Sequence, residues 1–270
     1  MKQVILITGA SSGMGRDGAL RLAQAGHRVY ATSNDISDME ELAAHNAKVK
    51  HLDVTDNATM VSCVNDIIET EGKIDVLINN AGYGSYGALE DVPLDEARKQ
   101  FEVNVFGLAR LTQLVLPHMR KAKSGKIVNV SSVGGVGSEP HSAWYHASKF
   151  AVEGMSDCLR QELIPFGIDV VVIQPGAIRS EWNEIARKNL LQVSGHTAYG
   201  ELVQKHAKLL ERIDEDSSDP GVIGKLMVEI VETRHPNTRY ARGKNARAAL
   251  IIRRLFTDKM YDRFMMQIMK

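Results

Sequence analysis

A doubly wound α/β domain, with one parallel sheet flanked by helices, is the fold class that this 270-residue chain predicts. Three observations carry the prediction. Short runs rich in Val and Ile recur along the chain, each followed by a helical pattern. Most of these runs are apolar on successive residues instead of alternating, which is how strands buried on both faces read. No Pro/Gly linker, internal repeat or low-complexity tract divides the chain, so residues 1–270 read as a single domain. Strands alternating with helices imply right-handed crossovers and therefore a parallel sheet.

VILIT (Val4–Thr8) is the first strand, preceded only by Met1, Lys2 and Gln3. That leaves no room for a signal peptide, and a cytoplasmic location is expected. Arg28–Thr32, Val49–Leu52, Ile74–Ile78, Lys126–Val130 and Asp169–Ile173 follow, with TRYARG (Thr238–Gly243) as a possible edge strand. A helix over Asp95–Arg120 is predicted from Phe101, Val105, Leu108, Thr112, Val115 and Met119, an apolar stripe at three- and four-residue steps. Residues 185–219 depart from the rhythm. They are polar, helical in pattern and end in the loop-like DEDSSDPG, as a substrate lid over the carboxyl edge of the sheet would. Residues 244–270 set Leu250, Ile251, Phe256, Met260, Phe264 and Ile268 among basic residues, which predicts one basic amphipathic C-terminal helix.

Composition narrows the function classes. Apolar content of 44% and charged content of 24% match ordinary soluble globular domains. A net charge of zero gives no general attraction to nucleic acid. From Arg234 onward, however, ten Lys/Arg face two Asp, so the tail is basic. It reads as lying on the domain beside the substrate cleft, with contact to an anionic membrane surface as the competing reading. No apolar run approaches the roughly 18 residues that a spanning helix needs. Cys63 and Cys158 fit a reducing compartment. The nine histidines are scattered, none at ligand spacing with Cys or carboxylates, and no metal is expected.

The first strand runs into TGASSGMGRDGALRLAQAG, which places Gly9, Gly13 and Gly15 between a strand and a helix. Such glycines let a backbone turn tightly against a pyrophosphate, while the helix N-terminus offers unpaired N–H groups and a positive dipole. The spacing T-G-x-x-x-G-x-G is not the G-x-G-x-x-G of many dinucleotide folds, and it lacks the Gly-Lys-Ser/Thr of a nucleotide triphosphatase.

This spacing, with the motifs that follow it in order, resembles the short-chain dehydrogenase/reductase family over about residues 4–182. Asp53 in LDVTD stands where family members contact the adenine ring, and NNAG (Asn79–Gly82) matches the segment that stabilises the sheet beside the cofactor. Asn104 in EVNVFG, Ser132 in NVSS and YHASK (Tyr145–Lys149) match the family's Asn–Ser–Tyr–Lys set. PGAIRS (Pro175–Ser180) matches its P-G-x-x-x-T segment, with Ser for Thr. NNAGYGSYGALEDVPLDEARKQFEVNVFG and PGAIRSEW look most like the branch that includes hydroxysteroid and retinol dehydrogenases. The resemblance implies a Rossmann-type domain, an NAD(P)-dependent oxidoreductase, and a homodimer or homotetramer formed through the helices around Asp95–Arg120 and Ser142–Gly167. It assigns catalysis to Asn104, Ser132, Tyr145 and Lys149. Cofactor contacts fall on Gly9, Ser11, Ser12, Gly13, Met14, Gly15, Ser33, Asn34, Asp53, Val54, Asn80, Ala81, Gly82, Tyr145, Lys149, Pro175, Gly176 and Ile178.

Hydride transfer to a carbonyl needs an acid for the developing alkoxide. Tyr145 and Lys149 are four apart, so they share a helix face, and an ammonium near a phenol is expected to lower its pKa toward the working range. Ser132 is expected to donate to the substrate oxygen. By resemblance Lys149 also holds the nicotinamide ribose, and Asn104 holds a water linking Lys149 to solvent. His141 and His146 flank Tyr145 and read as solvated loop or helix residues. Tyr83, Tyr86, Trp144 and Trp182 gather near the site and suggest a pocket for a hydrophobic ketone, aldehyde or secondary alcohol.

Cofactor choice turns on VYATSND (residues 29–35). An NAD-preferring relative carries Asp at the place of Ser33, whereas an NADP-preferring one follows Ser or Thr with Arg, where this chain has Asn34. Without a carboxylate to repel a 2′-phosphate, NADP(H) is favoured narrowly over NAD(H), using donors from Ser11, Ser33 and Asn34 with Arg16 as the nearest charge. The competing functions are a catalytically silent cofactor sensor or scaffold on the same fold, and sugar-nucleotide epimerisation. The full Asn–Ser–Tyr–Lys set argues against the first, the glycine spacing and chain length against the second.

Overall fold

A computed structural model describes residues 2–269, the side chains of Glu181 and Trp182 excepted. The chain runs β1 (Val4–Thr8), α1 (Gly13–Gln24), β2 (Arg28–Ser33), α2 (Glu40–Ala44), β3 (Lys48–His51), α3 (Asn57–Glu71) and β4 (Val76–Asn79). It continues through α4 (Leu94–Phe101), α5 (Leu108–Ala122), β5 (Gly125–Val130), α6 (Ala143–Leu163), β6 (Ile168–Pro175), α7 (Glu181–Ser194) and α8 (Gly200–Glu215). The last elements are α9 (Gly221–Glu232), β7 (Arg239–Arg242), α10 (Ala246–Leu255) and α11 (Asp258–Ile268). All seven strands are parallel, in the order β3-β2-β1-β4-β5-β6-β7. The order reverses between β1 and β4, and at such a switch point the carboxyl ends of the strands open a crevice for ligands.

Successive side chains of a strand point to opposite faces, and this alternation divides the apolar residues between two layers. Ile5 and Ile7 of β1, Ile78 of β4 and Ile173 of β6 pack under α1 and α9 with Leu22, Met227 and Ile230. Leu6, Leu77, Ile127 and Val170 point the other way, onto Ile67 of α3 and Leu111, Val115 and Met119 of α5. A third, smaller cluster joins Tyr86 to Ala186 and Leu190 of α7 and Val203 and Ala207 of α8, so the lid has a core of its own.

Every expected strand is present, with ends that differ by a residue or two. Lys126 within β5 is buried because its ammonium donates to the carbonyls of Ile230, Val231 and Thr233 at 2.5, 3.1 and 2.9 Å, which satisfies the end of α9. Three expectations are corrected. The helix over Asp95–Arg120 is two α-helices joined through a π-helical stretch at Glu102–Gly107, and Phe101 on its stripe is only half-buried. The lid helix α7 starts at residue 181, four residues before the expected insertion. The single C-terminal helix is broken at Phe256, whose backbone is extended, and Thr257 opens α11 with Asp258 in its first turn. That break lets Tyr261, Phe264, Met265 and Ile268 line the same cleft as Ile252 of α10.

Candidate active site

The crevice at the carboxyl edge has a volume of about 990 Å³ and reaches from the glycine loop to the C-terminal helices. Of the residues expected to touch cofactor, every one lines it: Gly9, Ser11, Ser12, Gly13, Met14, Gly15, Ser33, Asn34, Asp53, Val54, Asn80, Ala81, Gly82, Tyr145, Lys149, Pro175, Gly176 and Ile178. Gly13 sits at φ +53°, where L side chains are strained, and a Cβ there would look onto open cleft, its nearest neighbour being Ser180 at 4.0 Å. A Cβ on Gly15 would stand 2.1 Å from the Gly9 carbonyl, so only glycine lets the loop close on the start of α1. Ser12 at the N-cap makes no side-chain capping bond, which leaves the first-turn N–H groups facing the cleft. This cradle fits a dinucleotide pyrophosphate.

NNAG braces the loop from β4. Asn80 donates through Nδ2 to the carbonyls of Thr8 and Gly9, both at 2.9 Å, while Thr8 Oγ1 accepts from the Asn80 and Ala81 N–H groups. Asn79 donates to Thr112 and to Asn129 of β5, tying β4 to its neighbours below the floor. At the adenosine end, Ser33 Oγ lies 3.1 Å from Ser11 Oγ and accepts from the Asp35 N–H. Asp35 is turned away from the cleft into a bond with Ser37, and Asp53 accepts from the N–H and hydroxyl of Thr55. Arg16 does not stand over this end as expected. It is paired with Glu41 of α2 at 2.7 Å and does not line the cleft, because the short α2 puts that carboxylate within its reach.

The residues expected to be catalytic converge from three elements. Ser132 follows β5 and caps the short 3₁₀ turn Val133–Gly135, its oxygen accepting from the Gly134 N–H at 3.0 Å. Tyr145 and Lys149 lie one turn apart on α6, and Lys149 Nζ donates to the Val130 carbonyl at 3.0 Å. Asn104 sits in the π-helical stretch, buried, and clamps the backbone of Tyr83: Nδ2 donates to the Tyr83 carbonyl at 2.8 Å and Oδ1 accepts from its N–H at 3.0 Å. The same amide donates to Ser148 on α6 at 3.0 Å. An extra residue in a helical turn re-aims a side chain, and here it sends Asn104 inward between α4–α5 and α6.

Electrostatics at Tyr145 differ from the expectation. Burial pushes its phenol up to about 12, a hydrogen bond with Ser132 pulls it back in part, and the charge of Glu139 raises it further. The Lys149 ammonium is brought down to about 8 by burial, against the charge of Glu153 one turn along α6. In the folded chain desolvation is the largest influence on the phenol, and the direction is up instead of down.

The site also holds residues that sequence reasoning placed wrongly or passed over. His141 and His146 are buried, not solvated: His146 takes the Gly134 carbonyl at 2.8 Å on Nδ1, and His141 meets His206 of the lid at 3.1 Å. Tyr83 and Tyr86 do line the cleft, whereas Trp144 packs edge-on against Phe101 behind it. The Trp182 side chain lies outside the described residues. Glu139 was missed as a site residue; the lid and the C-terminal tail stand at the cleft as expected, but Leu210, Ile213 and the α10–α11 residues that line it were not singled out. Nothing in their local patterns differs from a surface loop or an amphipathic helix.

A parallel sheet with its switch point over a glycine cradle defines a dinucleotide-binding fold. The family model described as short chain dehydrogenase matches residues 3–190. The chain belongs to the short-chain dehydrogenase/reductase family and is an NAD(P)-dependent oxidoreductase. It is 40% identical over 240 residues to a 3-ketodihydrosphingosine reductase of Bacteroides thetaiotaomicron, covering 88% of this chain and 86% of that one. It is 30% identical over 275 residues to an NADPH-dependent 3-dehydrocapnine reductase of Ornithobacterium rhinotracheale, covering 98% and 96%. Among solved structures, a short-chain dehydrogenase from Streptomyces avermitilis superposes with a TM-score of 0.80 at 33% identity, over 93% of this chain and 92% of that one.

Proposed function

We propose that this chain reduces a hydrophobic ketone, or oxidises the matching secondary alcohol, with Tyr145 as general acid and base and NADP(H) as its preferred nicotinamide. The carrying observation is that Ser132, Tyr145 and Lys149 share one cleft with the glycine cradle. When bound, the nicotinamide supplies or takes up the hydride. The Tyr145 hydroxyl gives its proton to the substrate oxygen as negative charge grows there, and the Ser132 hydroxyl donates a hydrogen bond to the same atom. A phenol raised to about 12 holds its proton at neutral pH until that oxygen demands it. Lys149, near 8, is still mostly charged at neutral pH, so it stabilises the phenolate left behind and can return a proton to it. Asn104 holds the Tyr83 backbone in place beside this pair.

The apolar walls from the lid and the C-terminal helices support a lipophilic substrate, as do the names of the two relatives, both reductases of a keto or dehydro compound. Neutral donors at Ser11, Ser33 and Asn34, without a cleft-facing acid at that strand end, support NADP(H), and one relative is named NADPH-dependent. The test follows NADPH and NADH consumption with straight-chain methyl ketones of increasing length. Catalytic efficiency should rise with chain length, and Tyr145→Phe should lower turnover by about 10²- to 10⁴-fold while leaving NADPH binding intact. Full activity in that variant, or turnover confined to sugars or acyl thioesters, rejects the reading.

A further inference from the structure

His146 has no task in the reduction described above, although it follows Tyr145 on α6 and lines the same cleft. It is 8% exposed, and both ring nitrogens meet backbone groups. Nε2 receives the Glu139 N–H at 3.1 Å; a backbone N–H can only donate, so Nε2 carries no proton. Nδ1 stands 2.8 Å from the Gly134 carbonyl, which can only accept, so Nδ1 carries one. Two backbone groups therefore fix the ring as the Nδ1–H tautomer.

Gly134 is also the residue that holds Ser132. Its N–H donates to the Ser132 oxygen at 3.0 Å within the 3₁₀ turn Val133–Gly135. A Cβ on Gly134 would stand 2.9 Å from His146 Nδ1 and 3.3 Å from Ser132 Oγ, so glycine is what lets ring and hydroxyl close on the turn together. Glycine also has the freest backbone of any residue, and a second one, Gly135, follows it. The bond from Nδ1–H to the Gly134 carbonyl takes that freedom away where it matters. The Glu139 N–H holds the far edge of the ring, so the imidazole stays against the turn. A hydroxyl whose oxygen accepts from Gly134 turns its own hydrogen away from that N–H, and Tyr145 is a hydrogen-bond partner of the same hydroxyl.

We propose that His146 is a positioning residue for the reaction: its bond to the Gly134 carbonyl locks the turn that aims the Ser132 hydroxyl at the substrate oxygen. The inference rests on the ketone-reductase reading above. His146 acts through Ser132 and passes no proton to the substrate. A donor aimed before charge develops gives most of its worth in the transition state, so the effect falls on kcat and little on KM.

The experiment is a double-mutant cycle on the methyl ketone that the wild-type protein reduces fastest, with nitrogen NMR of histidine-labelled protein beside it. Ser132→Ala should lower kcat by roughly 10²- to 10³-fold, as loss of one such donor does. His146→Phe, which keeps a ring without its N–H, should lower kcat by about ten- to hundredfold at nearly unchanged KM and NADPH affinity. In the Ser132→Ala chain it should cost nothing further. His146→Asn, whose amide N–H₂ stands where Nδ1–H does, should restore most of the loss. If His146→Phe does not bind NADPH, His146→Ala replaces it in the cycle. The NMR signals that vanish in His146→Asn should report a protonated Nδ1 and a bare Nε2. Equal losses from His146→Phe with and without the Ser132 hydroxyl overturn the proposal, as does a bare Nδ1 in the wild-type protein. If the wild-type protein reduces no ketone, the expected tautomer supports the lock on the turn and the reductase reading alone is removed.

Discussion

Ser33 and His141 make two separate predictions. Ser33 is buried at the end of β2, bonded to Ser11 of the glycine loop. A carboxylate there repels a 2′-phosphate and accepts from a free ribose hydroxyl, so Ser33→Asp should shift the ratio of NADPH to NADH affinity toward NADH by about 10²-fold, read by nicotinamide fluorescence titration. His141 is held down to about 4 by burial, with the neighbouring His206 adding to the effect, against 6.5 in an unfolded chain. Between those values the unfolded chain binds a proton that the folded chain refuses. Stability is therefore lost as the pH falls from about 6.5 toward 4, by up to about 3 kcal/mol from this group. His141 also adopts a left-handed backbone, φ +63°, which Asn tolerates. His141→Asn should flatten the fall in melting temperature between pH 7 and 5, leaving the slope that buried His27 contributes. Asn104, Ser132, Tyr145 and Lys149 were picked out through the family resemblance; spacing by itself gave only that Tyr145 and Lys149 share a helix face, which helical pitch sets locally. Glu139 and His206 were not legible, since they meet across 67 residues through the folding of the lid.

Among the elements, the two C-terminal helices carry the sharpest test. α11 contributes Tyr261, Phe264, Met265 and Ile268 to the cleft, yet has no fully buried residue of its own within Asp258–Ile268. Its removal costs the sheet layers little. A chain stopped after Thr257 should fold, keep its activity on short ketones, and lose about tenfold or more in kcat/KM on long-chain ones, because the apolar wall along the chain is gone. An unchanged chain-length profile would place the alkyl chain elsewhere. The expectation of one terminal helix failed at Phe256–Thr257–Asp258. An amphipathic stripe runs on smoothly through that tripeptide, whereas a Thr-Asp pair is also a start signal, and packing against the cleft chose the start. The π-helical turn at Glu102–Gly107 was hidden for a related reason: its one-residue slip leaves the apolar periodicity almost intact.

For the whole molecule, the sheet order places the cleft. No helix among the described residues is long and apolar enough to cross a membrane. Phe106, in the turn between α4 and α5, and Phe150 on α6 are 55% and 47% exposed, on the two helices through which the family resemblance expects subunits to pair. Exposed aromatic side chains are the kind of group that anchors protein interfaces. Light scattering should find a dimer or tetramer, and Phe106→Glu with Phe150→Glu should reduce its mass; an unchanged mass would move the interface off these helices. Strand sites, helix periods, the glycine cradle and the Tyr–Lys spacing were all readable from the chain, because each is set by interactions within a few residues or by a backbone geometry that few residue types allow. The pairing of Arg16 with Glu41, the raised phenol of Tyr145, the buried histidines and the carboxylate of Glu139 facing the cleft came from packing. Each depends on which distant segments the sheet and lid bring together, and on how much water their contact removes, and neither quantity is written in local sequence.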